Sequence, residues 1–113
     1  MQRFDRINQE LKKQLAYIIE NEIKDPRIVG ITTVLRVECA EDLKTCKVYL
    51  SIIGAEGKEK EVMKVYQNSA GFVRNCLKTR IELRALPQLK FIYDDSIEYG
   101  FKISKLLQDI KDN

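Results

Sequence analysis

The sequence predicts an α+β domain in which a three-stranded sheet packs against helices. Two periodicities carry that prediction. Apolar residues recur at spacings of three and four over residues 2–24, 58–84 and 96–111, and they alternate with period two over 31–38, 45–53 and 88–94. A third observation bounds the answer: 113 residues with 5 Gly and 2 Pro, free of internal repeats and linker-like stretches, make one domain spanning 1–113.

Each element follows from its residues. Over 2–24, Phe4, Ile7, Leu11, Leu15 and Ile18/Ile19 form one helical stripe, flanked by a second stripe of Arg3, Arg6, Lys13 and Tyr17 that Glu10 interrupts. Pro26 forces the helix to end before it, because proline disfavours the α region at Asp25. Asp25-Pro26-Arg27 therefore reads as a helix stop, with Arg27 an additional candidate contact residue, and Val29-Gly30 supplies a turn. In 31–38, Ile31, Thr33, Leu35 and Val37 share a face; in 45–53, Cys46, Val48, Leu50 and Ile52 do. The polar link around Glu41-Asp42 joins them as an antiparallel hairpin with one buried face, and Tyr49, opposite that face, is expected under a helix edge. Helical spacing over 58–84 runs through Ser69-Ala70-Gly71, where glycine costs about 1 kcal/mol in a helix interior. Two helices meeting at a kink are favoured there. Arg80 and Arg84 fall within the apolar arc, so they either snorkel at its edge or mark where the helix frays. Leu89, Phe91 and Tyr93 define a third strand, and Asp95 with Glu98 gives a capping-box start to the last helix.

Composition narrows the function. Hydrophobic residues are 44% and charged residues 33%, as in a soluble globular chain rather than a disordered one. With no His, the commonest metal ligand and the commonest neutral-pH base are both missing, so no metal, cofactor or catalytic residue is assigned and no enzymatic activity is expected. Asp94-Asp95 reads as a helix cap rather than a catalytic pair. Cys39, Cys46 and Cys76, odd in number and without Cys-x-x-Cys spacing, suit buried thiols in a reducing compartment. The N-terminus lacks an apolar signal core and no run is long enough to span a bilayer, so a cytoplasmic protein without membrane attachment is expected. Net charge is +3, but residues 62–93 hold six bases against one acid. Such a basic segment is a footprint for a polyanion, or else a solvated helix face.

Helix–strand–strand–helix–kink–helix–strand is the order of a KH-like (type II) domain, whose turn between two helices clamps nucleic-acid backbone. Small side chains at Ser69, Ala70 and Gly71 would let phosphate approach backbone N–H groups at the start of the following helix. The competing reading is that they let two helices cross closely. Arg74 and Lys78 lie about 40° apart on one face of that helix and would extend an RNA contact.

The chain also resembles the ribosome-binding factor A family from Arg3 to about Leu107. The residues that carry the resemblance are Arg3 and Arg6; Lys24-Asp25-Pro26-Arg27; Ile31-Thr32-Thr33-Val34; and Lys47-Val48-Tyr49-Leu50-Ser51. They continue with Ser69-Ala70-Gly71-Phe72-Val73-Arg74, Leu83-Arg84-x-x-Pro87-x-Leu89-x-Phe91 and Asp94-Asp95-Ser96-x-x-x-Gly100. The resemblance implies a KH-like domain with an interrupted-helix Ala-x-Gly kink, Ser69 standing at the Ala position. It implies binding to the free small (30S) ribosomal subunit, late processing of 16S rRNA, and support of growth in the cold. The candidate RNA-binding residues are Arg3, Arg6, Lys13, Ser69, Ala70, Gly71, Arg74, Lys78, Arg80 and Arg84, and the protein is expected to act as a monomer. The alternative is a protein–protein adaptor whose basic face meets an acidic partner; a nuclease is disfavoured by the missing His and carboxylate clusters.

Overall fold

The elements follow the expected order: α1 (Arg3–Asn21), β1 (Ile31–Cys39), β2 (Thr45–Ile53), α2 (Glu59–Asn68), α3 (Ala70–Lys78), β3 (Gln88–Tyr93) and α4 (Ser96–Lys111). The structure is a computed structural model that describes residues 3–111, with side chains from Asp5 onward. The sheet has strand order β1-β2-β3; β1 and β2 are antiparallel, whereas β2 and β3 run parallel. A parallel pair needs a long crossover, and α2 and α3 supply it while packing against β3. On the same face α1 packs against β1 and α3.

The core is where these faces meet. Leu11, Leu15, Ile18 and Ile19 of α1 join Val62 and Tyr66 of α2, Val73 and Leu77 of α3, and Cys46, Val48, Leu50 and Ile52 of β2. Tyr66 is the largest fully buried side chain of this group. Its hydroxyl donates to Thr32 Oγ1 at 2.7 Å and its ring tilts against Phe91, so the polar atom is satisfied inside the apolar layer. Burial pushes that hydroxyl's pKa up. At the turn before β1, Gly30 has φ +80°, and a Cβ there would meet the Ile53 carbonyl at 2.6 Å, so only glycine fits.

Several expectations are corrected. The β1 register shifts between Val34 and Arg36, which inserts Leu35 as an extra residue. Strict alternation therefore breaks: Val34, Val37 and Cys39 are buried, whereas Ile31 is 70% exposed. The second helical stretch ends at Lys78 rather than 84, where the Thr79 hydroxyl donates to the Cys76 carbonyl at 3.0 Å. Beyond it, Ile81, Leu83 and Leu86 still pack on the core from an irregular segment, which is why their spacing looks helical. Cys39 and Cys46 are joined by a disulfide rather than left as thiols, while Cys76 is free. They stand directly opposite each other across the hairpin, a relation that Cys counting does not see. Asp95 holds the N-cap position of α4, its carbonyl accepting the Tyr99 N–H at 2.8 Å, but the box does not close: Asp94 Oδ1 accepts the Ser96 N–H at 2.9 Å and Glu98 accepts the Tyr93 hydroxyl. No residue of α4 is buried in the core. Among the described residues no helix is long and apolar enough to cross a membrane.

Candidate nucleic-acid interface

The flank of α1 presents Arg6, Lys13 and Tyr17 to solvent. The side chain of Arg3 lies outside the described residues. Glu10 does not neutralise this stripe directly; it accepts a hydrogen bond from Gln14 Nε2 at 3.0 Å. Gln14 Oε1 in turn accepts from Arg80 Nε at 2.9 Å, and the Arg80 guanidinium lies 3.8 Å from the Tyr17 ring centroid. That cation–π contact holds the cation against the α1 flank. The segment after α3 thus carries Arg80 back to the first helix, in the same surface region as Lys13 and Tyr17.

At the junction, Ser69 closes α2 and opens α3. Its N–H is shared between the Val65 and Tyr66 carbonyls, both at 3.0 Å, and its own carbonyl accepts the Val73 N–H at 2.9 Å. No side chain caps the start of α3. Ser69 and Ala70 are half-buried and Gly71 is exposed. A Cβ at Gly71 would meet nothing within 4 Å. A close helix crossing therefore does not demand glycine at 71, and the first turn of α3 is open to approach from outside.

Arg74 and Lys78 do not share a solvent face. Lys78 is exposed, but Arg74 is half-buried, and its Nη2 donates to the Leu86 carbonyl at 2.7 Å. Arg74 and Arg84 line a cleft of about 620 Å3 between the β1–β2 turn and the 79–87 segment, together with Lys44. Sequence reasoning missed Lys44, because only the folded hairpin turn brings it beside residues thirty or more positions away. Arg27 remains largely exposed beside the helix stop. Its guanidinium bonds Asp25 at 2.6 Å and 3.0 Å, and this holds the Asp25 carboxyl down at about 2. The Arg36 guanidinium sits 3.8 Å from the Tyr49 ring centroid.

The cations with no carboxylate in ion-pair distance among the described residues include Arg6, Lys13 and Lys78. A larger cavity of about 770 Å3 beside the 23–34 region is lined by Ile19, Ile23, Ile28 and Tyr66 and holds none of the candidate residues. Among the described residues no three His, Cys, Asp or Glu side chains group to hold a metal.

A mixed three-stranded sheet backed by α1, α2 and α3, with the latter two broken at a serine and followed by an open glycine, defines a KH-like domain of the type II arrangement. The model of the family described as ribosome-binding factor A matches residues 3–107, and the chain belongs to that family. It is 44% identical over 108 residues to a ribosome-binding factor A of Lachnospira eligens, covering 96% of this chain and 83% of the relative. A second relative, from Lachnoclostridium phytofermentans, is 46% identical over 105 residues, covering 93% and 77%. The fold matches the crystal structure of ribosome-binding factor A from Thermus thermophilus, with TM-score 0.72, 24% identity, and coverage of 80% of this chain and 93% of that one. It also matches a Thermus thermophilus ribosome-binding factor A homology model fitted into a cryo-EM map of a 30S complex, with TM-score 0.65, 25% identity, and coverage of 78% and 91%.

Proposed function

We propose that this chain acts as a single, monomeric RNA-binding domain on the small ribosomal subunit, where it assists late processing of 16S rRNA and supports growth in the cold, without catalysis of its own. Family membership supports the subunit as partner. The observation that carries the RNA-backbone contact is Gly71, exposed at a helix start that no side chain caps, with no neighbour where a Cβ would stand. Helix starts favour anions through their free N–H groups and dipole. Arg6, Lys13 and Lys78, with Arg80 stacked on Tyr17, supply positive charge on α1 and at the end of α3. Contacts of this kind read backbone position and shape rather than base sequence.

Sedimentation of a lysate through a gradient tests the reading. The protein is expected with free small subunits and not with 70S particles, and a strain lacking it should accumulate precursor 16S rRNA, most visibly in the cold. Co-sedimentation with no ribosomal particle, together with capture by an acidic protein, would favour the adaptor instead.

A further inference from the structure

The cleft between the β1–β2 turn and the 79–87 segment holds more positive charge than the fold uses. Its volume, about 620 Å3, lies in the range of clefts that take a small ligand. Lys44, Arg74 and Arg84 all line it, and none has a carboxylate within ion-pair distance among the described residues. Arg74 is the telling member. It is half-buried, its one hydrogen bond runs to the Leu86 carbonyl at 2.7 Å, and its Nε is buried without a partner. A guanidinium withdrawn from water with so few partners is costly, and an anion beside it would offset that cost.

The lining holds one acid, Asp42, whose Oδ1 accepts the Lys44 N–H at 3.0 Å and holds the turn; against Lys44, Arg74 and Arg84 it leaves the recess net positive. Gln88 N–H donates to the Lys44 carbonyl at 2.9 Å, which fixes that turn against β3 and sets the cleft's width independently of any ligand. The rest of the wall includes Leu43, Leu83 and Leu86, so apolar surface and positive charge share one recess. A bare inorganic anion would use only the cations. An acidic peptide would place flexible carboxylates on them and leave the leucines uncovered.

We propose that this cleft binds a single nucleotide, its phosphate on Arg74, Lys44 and Arg84 and its base against the leucines. The inference rests on the RNA-binding reading for the source of that nucleotide, an unstacked residue of a single strand. Its chemistry is nevertheless separate from the α1 flank and the Ser69–Gly71 junction.

The test titrates the full chain with 5′-UMP, uridine, inorganic phosphate, hexaglutamate and a hexauridylate, following backbone amide NMR shifts. Small-subunit co-sedimentation of the same wild-type protein is measured in parallel. The nucleotide and the oligonucleotide should shift the amides of Lys44, Leu86 and Gln88. Uridine, phosphate and hexaglutamate should bind at least tenfold more weakly. Lys44→Gln with Arg84→Gln, both at exposed positions, should weaken the oligonucleotide tenfold or more while leaving the amide spectrum of the core in place. Three results would overturn the inference: no shifts around the cleft, undiminished binding by the double variant, or hexaglutamate binding as tightly as the nucleotide. Subunit co-sedimentation with an empty cleft overturns the nucleotide site alone. Nucleotide binding without co-sedimentation upholds the site and overturns the ribosomal reading. Failure of both measurements overturns both.

Discussion

At position 71 the usual reason for a helical glycine is missing, since a Cβ there meets open space. Gly71→Val should therefore change stability by no more than about 1 kcal/mol, combining the helix propensities of the two residues. It should nonetheless abolish small-subunit binding, because a branched side chain would keep phosphate from the backbone at the start of α3. Thermal unfolding and co-sedimentation of the same variant check both halves; a Gly71→Val protein that unfolds would restore the close-crossing explanation. Asp94 carries a pH prediction. Hydrogen bonds from the Ser96 side chain and backbone, then Arg36, hold its carboxyl down at about 2 from 3.8. A depressed carboxylate stabilises the fold above its unfolded pKa, and the contribution is lost as pH falls from about 4 through about 2. NMR of the Asp94 carboxyl should show that low midpoint, and Arg36→Ala should move it upward. The Ser69-Ala70-Gly71 junction was legible in the sequence because small residues, glycine among them, weaken a helix whose apolar period continues through them. The bond from Asp94 to the start of α4 was not, because Asp94 and Asp95 are chemically identical and only backbone geometry chooses which carboxylate reaches the Ser96 N–H.

Among the elements, β3 has an outer edge that no strand covers. Gln67 of α2 fills that place: its Oε1 accepts the Phe91 N–H at 2.9 Å and its Nε2 donates to the Leu89 carbonyl at 3.3 Å. The carboxamide thus stands in for a neighbouring peptide and blunts an edge that could otherwise pair with another chain. Gln67→Met should lower stability by about 1 kcal/mol, as expected for lost hydrogen bonds that water partly replaces. Amide exchange at Phe91 should quicken, and unchanged exchange would show that the edge is protected by something else. The hairpin is tied at its turn end by the Cys39–Cys46 disulfide, with seven residues of separation. Cutting so short a loop by reduction should cost roughly 2 kcal/mol, read as a lower denaturant midpoint in dithiothreitol. The helical and strand stretches could be read from periodicity, and the break between α2 and α3 from the small residues at 69–71. The bulge at Leu35 and the end of α3 at Lys78 could not, since Leu35 fits an alternating pattern and Ile81 a helical one while tertiary packing sets both.

For the molecule as a whole, folding redistributes charge that the sequence shows only as a block. The basic stretch from 62 to 93 does not form one face. Arg80 returns to the α1 flank over Tyr17, whereas Arg74 and Arg84 turn into the cleft with Lys44. Sequence reasoning therefore found most of the charged residues but not their grouping, because Arg74 and Lys78 share a helical face only until the 79–87 segment covers one of them. Another feature of the whole is α4, whose Phe101, Leu106, Leu107 and Ile110 remain exposed. On the proposed function, exposed cations of α1 and α3 neutralise ribosomal RNA phosphates on the small subunit. This is tested by the dissociation constant for purified free small subunits across a salt series, for the wild type and for Lys13→Glu with Lys78→Glu. Affinity should fall by about 0.9 log units per log unit of salt for each phosphate neutralised. The double variant should bind far more weakly, with a slope shallower by about two such contacts and a stability within about 0.5 kcal/mol of the wild type. A wild-type affinity that does not change with salt, or a double variant that binds as the wild type does, would contradict the account.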